Sequence, residues 1–461
     1  MDRTQWWVGA VAAVFVATTS PAMAIDLGQA WQAAKGRSPA LRATQLDQVV
    51  ADKRLQVSRT LWNPTVMLGL FGGAAGSETT AKGARFSARE FGDARIDGAS
   101  FSTSIGIGIS GRAAISAIQP LIDPERTAQA RQLGLSSDVA DAGARLAQQF
   151  LAATLVERYL DVLTAQELVR LTGEQEQVLA KADQELRRRQ AMGDVSVMDV
   201  RESAARIAAI RANRVGLESS LQVAQRHLEE LIGPVGSAPS VPKFTQTIGF
   251  LTTVKAEALI DQMRRQHPQV RLLDLQRQMA LYEVDKFVAD RKAIRVDAVA
   301  AASHERLVGA GEMGQAANRG TQHMVGVQVT IPLSSGGYRS AKQEEAIVLA
   351  DRVLLERDQT VQALERGVLS ATAMLASAEA KLSMLNQALE SSQARLLETR
   401  KAHANGARST LELLGAEDAV LELKKMLFQE KVAVVRARTG LMASAGQLSD
   451  DELHRMNQYL Y

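Results

Sequence analysis

Residues 323–337 read His-Met-Val-Gly-Val-Gln-Val-Thr-Ile-Pro-Leu-Ser-Ser-Gly-Gly. Val325, Val327, Val329 and Ile331 alternate with Gly326, Gln328 and Thr330, the two-residue period of a strand with one apolar and one small or polar face. Pro332 closes the segment, and residues 333–461 contain no further proline. That stretch is rich in Ala, Leu, Glu, Gln, Arg and Lys, which lose little side-chain entropy in a helix, so it predicts long helices. The same order occurs earlier in the chain. Ile118-Gln119-Pro120-Leu121 stands where Thr330-Ile331-Pro332-Leu333 does, and residues 125–233 are again free of proline.

Two more landmarks recur. Ser38-Pro39-Ala40-Leu41 matches His267-Pro268-Gln269-Val270, and Met192-Gly193-Asp194-Val195 matches Asn405-Gly406-Ala407-Arg408. Pro120 and Pro332 are 212 residues apart, Gly193 and Gly406 213. The steady offset predicts a tandem duplication, each unit being strand, strand, long helix, turn, long helix. After the first turn Ile207, Ile210, Leu217, Leu221, Ala224, Leu228 and Leu231 keep the spacing of a seven-residue repeat, with Arg214 in one slot. Val420, Leu423, Glu430, Val434, Ala437, Leu441 and Ser444 follow in the second copy. Each series lays one seam along a helix for a neighbour to cover. A continuous helix over residues 126–190 reaches roughly 100 Å, more than a globular domain needs.

Strands are predicted at residues 61–75, 100–112, 295–307 and 323–333, joined by polar loops at 76–99 and 309–321. Val66, Leu68 and Leu70 share one face of the first; Ile105, Ile107 and Ile109 share one face of the second. Such segments fit the roughly 9 to 11 residues of a transmembrane barrel strand. A soluble sheet is the alternative for any one of them; four, paired by the repeat in an exported chain, favour the barrel. Four strands cannot close, since the smallest spanning barrels use about eight, and open edges in hydrocarbon leave backbone groups unsatisfied. A trimer with twelve strands is the simplest closure.

Export is read from Arg3, the apolar residues 6–17 and Ala22-Met23-Ala24, a small-x-small cleavage site. The expected organisation is a signal peptide at 1–24, a first repeat at 25–232 with its helical hairpin at about 126–232, a linker at 233–253, a second repeat at 254–447 with its hairpin at about 338–447, and a C-terminal segment at 448–461. No downstream stretch reaches the roughly 18 to 20 uncharged apolar residues of a spanning helix. The 461 residues include no cysteine, which excludes a disulfide scaffold, thiolate metal site, cysteine nucleophile or lipidated cysteine. The formal net charge of +3 comes from interspersed charges without a basic block, so no nucleic-acid partner is expected.

With the duplicated order, the Val-Thr-Ile-Pro-Leu strand end followed by Ser334-Ser335-Gly336-Gly337, and the turns at Gly193 and Gly406, the chain resembles the TolC-like outer-membrane efflux and type I secretion channel family over essentially all of residues 25–450. The resemblance implies an α+β membrane protein: a homotrimer with a twelve-stranded barrel, four strands per chain, continued by a long periplasmic α-helical barrel of coiled coils. It also implies an equatorial region built from the linker and C-terminal segment. The implied function is an exit duct in the outer-membrane lipid, recruited by a periplasmic adaptor and an inner-membrane transporter of the ABC, RND or MFS type. By position, Asp199 falls on an acidic link residue of the periplasmic gate, Arg408 on a basic one and His403 on an aromatic one. Glu412 falls on an acidic pore ring, whose second member is replaced by Gly415. The alternative is that Asp199, Arg408 and Glu412 are solvated helix-end residues.

No catalytic constellation is present in the sequence, and no cofactor or metal is expected. Gly106-Ile107-Gly108-Ile109-Ser110-Gly111 fits a dinucleotide fingerprint by letter but sits in a strand pattern with no helix beginning there. The six histidines contain no pair at ligand spacing. A periplasmic coiled-coil adaptor or structural protein is the alternative function, although an adaptor would show one helical hairpin, not two at a fixed offset.

Overall fold

A computed structural model describes residues 25–86, 96–234, 239, 242–244, 255–311 and 314–461. The expected signal peptide, and residues 235–238, 240–241 and 245–253 of the expected linker, lie outside the described residues. The elements are α1 (Leu27–Arg37), α2 (Pro39–Thr60), β1 (Thr65–Phe86), β2 (Ile96–Ile122), α3 (Pro124–Gly134), α4 (Ser136–Ala191), α5 (Val197–Ile232), α6 (Ala256–Gln266), α7 (Pro268–Lys286), β3 (Arg295–Gly311), β4 (Gly314–Thr330), α8 (Tyr338–Ala404), α9 (Thr410–Ala445) and α10 (Asp450–Leu460), with a 3-10 turn at Asp290–Lys292. They pack as two compact units. One takes the chain up to Gln45 with Gly143–Arg271 and Gln359–Tyr461; the other takes Leu46–Ala142 and Leu272–Asp358. Neither unit is one half of the sequence, because each draws its packing partners from both repeats.

The second unit holds the sheet, an antiparallel meander in the order β1-β2-β3-β4. Its strands are longer than the alternation indicates. Ser77 pairs with Ile105, Glu78 with Ser104 and Thr80 with Ser102, and the β3–β4 hairpin closes at Gly311 and Gly314, so most of the expected loops at 76–99 and 309–321 is strand. These extensions are mostly Gly, Ala, Ser and Thr with isolated large apolar residues and no apolar period, which is why the pattern does not reveal them. At the other end, β1 starts at Thr65 because α2 runs to Thr60 and a turn ending at Pro64 intervenes. β2 continues past residue 112 to Ile122. It accommodates Pro120 beyond its last β1 pairing, Thr65 with Ile118, where a missing N–H costs nothing on that side.

Register sorts the faces. Val66, Leu68, Leu70, Ile109, Ile115, Val325, Val327 and Val329 share one face, and Ser110, Arg112, Ser116, Asp297, Glu305, Gln322 and Gln328 the other. Ile105 corrects the expected alternation. A bulge in β2 between its pairings at Ile105 and Gly108 turns this residue over, so Ile105 is 6% exposed while Ile107 and Ile109 are 85% and 78% exposed.

In the first unit Leu155, Tyr159, Leu160 and Leu163 of α4 pack with Val434, Val435 and Leu441 of α9, Leu27 and Trp31 of α1, and Met456 and Leu460 of α10. Polar contacts anchor this core. The buried Tyr159 hydroxyl donates to Ile25 O at 2.9 Å, and burial drives its pKa up. Trp31 Nε1 and Lys35 Nζ reach Asp450 at 2.9 and 2.7 Å, and Arg438 Nε donates to Glu452 Oε1 at 2.8 Å with both side chains buried. Lys243 N and Phe244 N donate to Leu460 O at 2.8 and 3.0 Å, so the described part of the linker docks on the C-terminal segment.

The expected continuous helix is interrupted at Leu135, just after Gly134, leaving α4 with 56 residues or about 84 Å. α8, with 67 residues, reaches about 100 Å. α8 is long and apolar enough to cross a membrane by length and composition when up to two charges are allowed, although its uncharged run stops short of the roughly 18 to 20 residues expected of a spanning helix. Its uncharged residues 367–378 supply Val368, Ala371, Leu375 and Ala378 to the packed core, which is the physical reason for their apolar character. Gly367 lets α9 approach, since a Cβ there would stand 2.6 Å from Ser444 Oγ.

Candidate functional site

Both long hairpins end in the same hydrogen-bonded turn. In the first, Gly193 N donates to Gln190 O at 3.0 Å and Asp194 N to Arg189 O at 2.9 Å; in the second, Gly406 N donates to His403 O at 2.9 Å and Ala407 N to Ala402 O at 2.8 Å. Each closes a helix through a left-handed glycine, Gly193 at φ +87° and Gly406 at φ +75°. Each is followed by a serine that caps the next helix: Ser196 Oγ accepts from Met198 N at 3.1 Å, Ser409 Oγ from Glu412 N at 3.1 Å.

Asp199 and Glu412 therefore occupy one structural position, the third residue after the cap, with different surroundings. Glu412 completes a capping box, its Oε2 accepting from Ser409 N at 2.8 Å, and pairs with Arg408 one turn back. The Ser409 N–H and then the Arg408 guanidinium hold its carboxyl below the usual range. Asp199 is half-buried and, among the described residues, has no ion-pair partner. His403 is half-buried with Nε2 3.2 Å from Thr410 Oγ1, which ties it to its own hairpin. Within one chain Arg408 thus meets Glu412 and not Asp199. At Gly415 a Cβ would meet nothing within 4 Å, so the glycine there leaves open space.

Leu179, Ile207 and Leu414 bring α4, α5 and α9 together near these turns. Beyond them lies a buried network that residue types alone do not reveal: Gln175 Nε2 donates to Asp418 Oδ1 at 3.1 Å, and the buried Lys425 Nζ donates to Gln175 Oε1 and Glu422 Oε1, both at 2.8 Å. Arg214, the misfit in the seam, reaches Glu176 Oε2 at 2.9 Å. Arg211, at 2.8 Å, and Arg214 hold the Glu176 carboxyl low. The rest of the seam behaves as its spacing predicts: Ile207 and Leu228 are buried and Ile210, Leu217, Leu221, Ala224 and Leu231 half-buried. Among the described residues no group of three or more acidic or histidine side chains could hold a metal.

The sequence profile of the outer membrane efflux protein family matches residues 30–234 and 259–447. The chain belongs to this family. It is an outer-membrane export channel, and the family is one of channel and secretion proteins, not enzymes. Among curated relatives, the alkaline protease secretion protein AprF of Pseudomonas aeruginosa is 26% identical over 341 residues, covering 74% of this chain and 70% of AprF. The proteases secretion protein PrtF of Dickeya chrysanthemi is 25% identical over 343 residues, 73% of each chain. Solved structures share the fold. The outer-membrane channel OprN has a TM-score of 0.67 at 18% identity, covering 91% of this chain and 90% of its own. VceC of Vibrio cholerae has 0.68 at 17%, covering 91% and 96%.

Proposed function

We propose that this efflux-family chain is one third of a homotrimeric exit duct for type I protein secretion, joined by a periplasmic adaptor and an inner-membrane transporter of the ABC type. The observation that carries the reading is the four-stranded meander with two open edges and two chemically distinct faces. Burying its apolar face in lipid while leaving both edges unpaired would strand backbone groups in hydrocarbon, and three copies joined edge to edge remove every edge. The polar face, with Arg112, Asp297, Glu305 and Gln328, then lines a wet lumen. Protein cargo is favoured because AprF and PrtF are both named for protease secretion.

The two turns with the same bonding at a 213-residue offset support an origin by duplication. In the trimer, hairpin turns at Gly193 and Gly406 form the periplasmic mouth. Asp199 of one hairpin, without an ion-pair partner among the described residues, meets a basic residue of a neighbouring hairpin, while Arg408 and His403 supply the other side of the gate and Glu412 an acidic ring. The linker and residues 448–461, joined through Leu460, form the equatorial region, and residues 1–24 are removed on export. Expression of the full chain followed by membrane fractionation tests the reading. A heat-modifiable trimer in the outer-membrane fraction is the expected result, and a soluble periplasmic monomer would refute it.

A further inference from the structure

Across the four strands, Gly72 pairs with Gly111, Gly111 with Arg306 and Arg306 with Arg319, all on the apolar face. One residue pair nearer the helices on that face stand Leu70, Ala113, His304 and Thr321, with His304 Nδ1 2.9 Å from Thr321 Oγ1; next come Leu68, Ile115, Ala302 and His323. Arg306 and Arg319 are exposed and face each other directly, an arrangement in which like charges repel unless an anion joins them. Among the described residues neither guanidinium has a carboxylate partner. Glu305 lies on the opposite face and accepts from Ser110 Oγ at 3.3 Å. A Cβ added to Gly72 or Gly111 would meet nothing within 4 Å, so the floor beside the two arginines is open.

Depth says what lies against this face. From Val329, at the helix-proximal end of β4, to Arg319 is ten residues, roughly 25 Å of membrane depth at about 3.4 Å per residue and a tilt near 40°. That equals the height of the apolar band of an outer-membrane barrel, which puts the arginine pair at the far boundary, on the hairpin side, level with outer-leaflet headgroups. We infer that Arg306 and Arg319 bind the phosphate groups of an outer-leaflet lipid over the Gly72–Gly111 floor. Guanidinium groups suit this task because each offers two parallel N–H donors to phosphate oxygens. The inference rests on the reading that this face meets lipid.

The test uses the full-length trimer in phosphatidylcholine nanodiscs, with bound lipid counted by native mass spectrometry after addition of lipid A carrying its phosphates or the same lipid stripped of them. The phosphorylated lipid should bind about tenfold more tightly, a difference of about 1.4 kcal/mol. Arg306→Gln with Arg319→Gln should abolish the difference, while Arg306→Lys with Arg319→Lys should keep part of it. Equal binding of the two lipids, unchanged binding by the glutamine variant, or displacement by inorganic phosphate alone would overturn the site. Failure of the wild-type trimer to enter nanodiscs would overturn the membrane reading itself, and the site with it.

Discussion

Gly193 and Gly406, 213 residues apart, adopt the same left-handed backbone and terminate their helices with the same pair of hydrogen bonds. Neither could carry a side chain without strain. Gly193→Ala and Gly406→Ala should each cost about 1 kcal/mol. The readout is the temperature at which the trimer dissociates on a gel, expected to fall by a similar amount in both. A fall in only one would mean that the turns are not equivalent.

Glu412 is both gate candidate and cap, so its charge and its hydrogen bonds must be separated. Glu412→Gln can still accept from Ser409 N, whereas Glu412→Ala cannot. In planar bilayers, Glu412→Gln should weaken block by divalent or trivalent cations, and Arg408→Ser should raise single-channel conductance. Because the Glu412 carboxyl is held low, its charge is present above the usual carboxylate range and is lost only as pH falls through the depressed folded value. Cation block should therefore persist as pH drops through the ordinary range; block lost at that range would contradict the assignment.

His267 uses both ring nitrogens in the neutral form: Nε2 donates to Ala443 O at 3.2 Å and Nδ1 accepts from Gln269 N at 3.1 Å. Burial holds its pKa down, opposed by the Ala443 carbonyl. The unfolded chain then binds the extra proton first, so this contribution is complete above the unfolded value near 6.5 and declines as pH falls below it. Trimer dissociation temperature should drop on acidification below about pH 6.5, and His267→Gln should flatten that slope.

Arg438 and Glu452 form a buried pair between α9 and α10. Arg438→Met leaves the buried Glu452 with only the exposed Arg455, 3.2 Å from its Oε2, and should destabilise by at most about 3 kcal/mol, whereas Arg438→Met with Glu452→Leu should recover much of the loss. Thermal inactivation of channel activity provides the comparison.

On the sheet, Val325→Arg adds charge to the apolar face and should cost about 2–4 kcal/mol near the bilayer midplane. Gln328→Arg, on the opposite face, should assemble normally. The yield of membrane-inserted trimer distinguishes the two.

Features with a period were legible in the sequence. The seven-residue seam on α5, the alternation on β1 and β4 and the two glycine turns follow from spacing alone. The polar halves of β1 and β2 were not, because Thr79 and Thr103 or Thr80 and Ser102 are joined by backbone pairing that has no apolar signature. The compact units were hidden for another reason: α4 packs on α9, an element of the other repeat, and no local pattern encodes that choice. At the turns, Gly193 and Gly406 could be read directly. Sequence matching assigned Asp199 and Glu412 different roles, whereas the backbone places them at equivalent positions and gives Glu412 to Arg408. The Gln175–Lys425 network stayed invisible because polar residues on a helix look solvated until a second helix covers them.

Edge-to-edge closure by three copies is directly measurable because the sequence contains no cysteine. Cysteines are introduced in pairs, one at Met67, Gly69 or Phe71 on β1 and one at Met324, Gly326 or Gln328 on β4, and oxidised in intact outer membranes. At least one pair should cross-link into a ladder that stops at three chains on a denaturing gel. No cross-link from any pair, or a ladder that ends at two or continues past three, would contradict the trimeric duct.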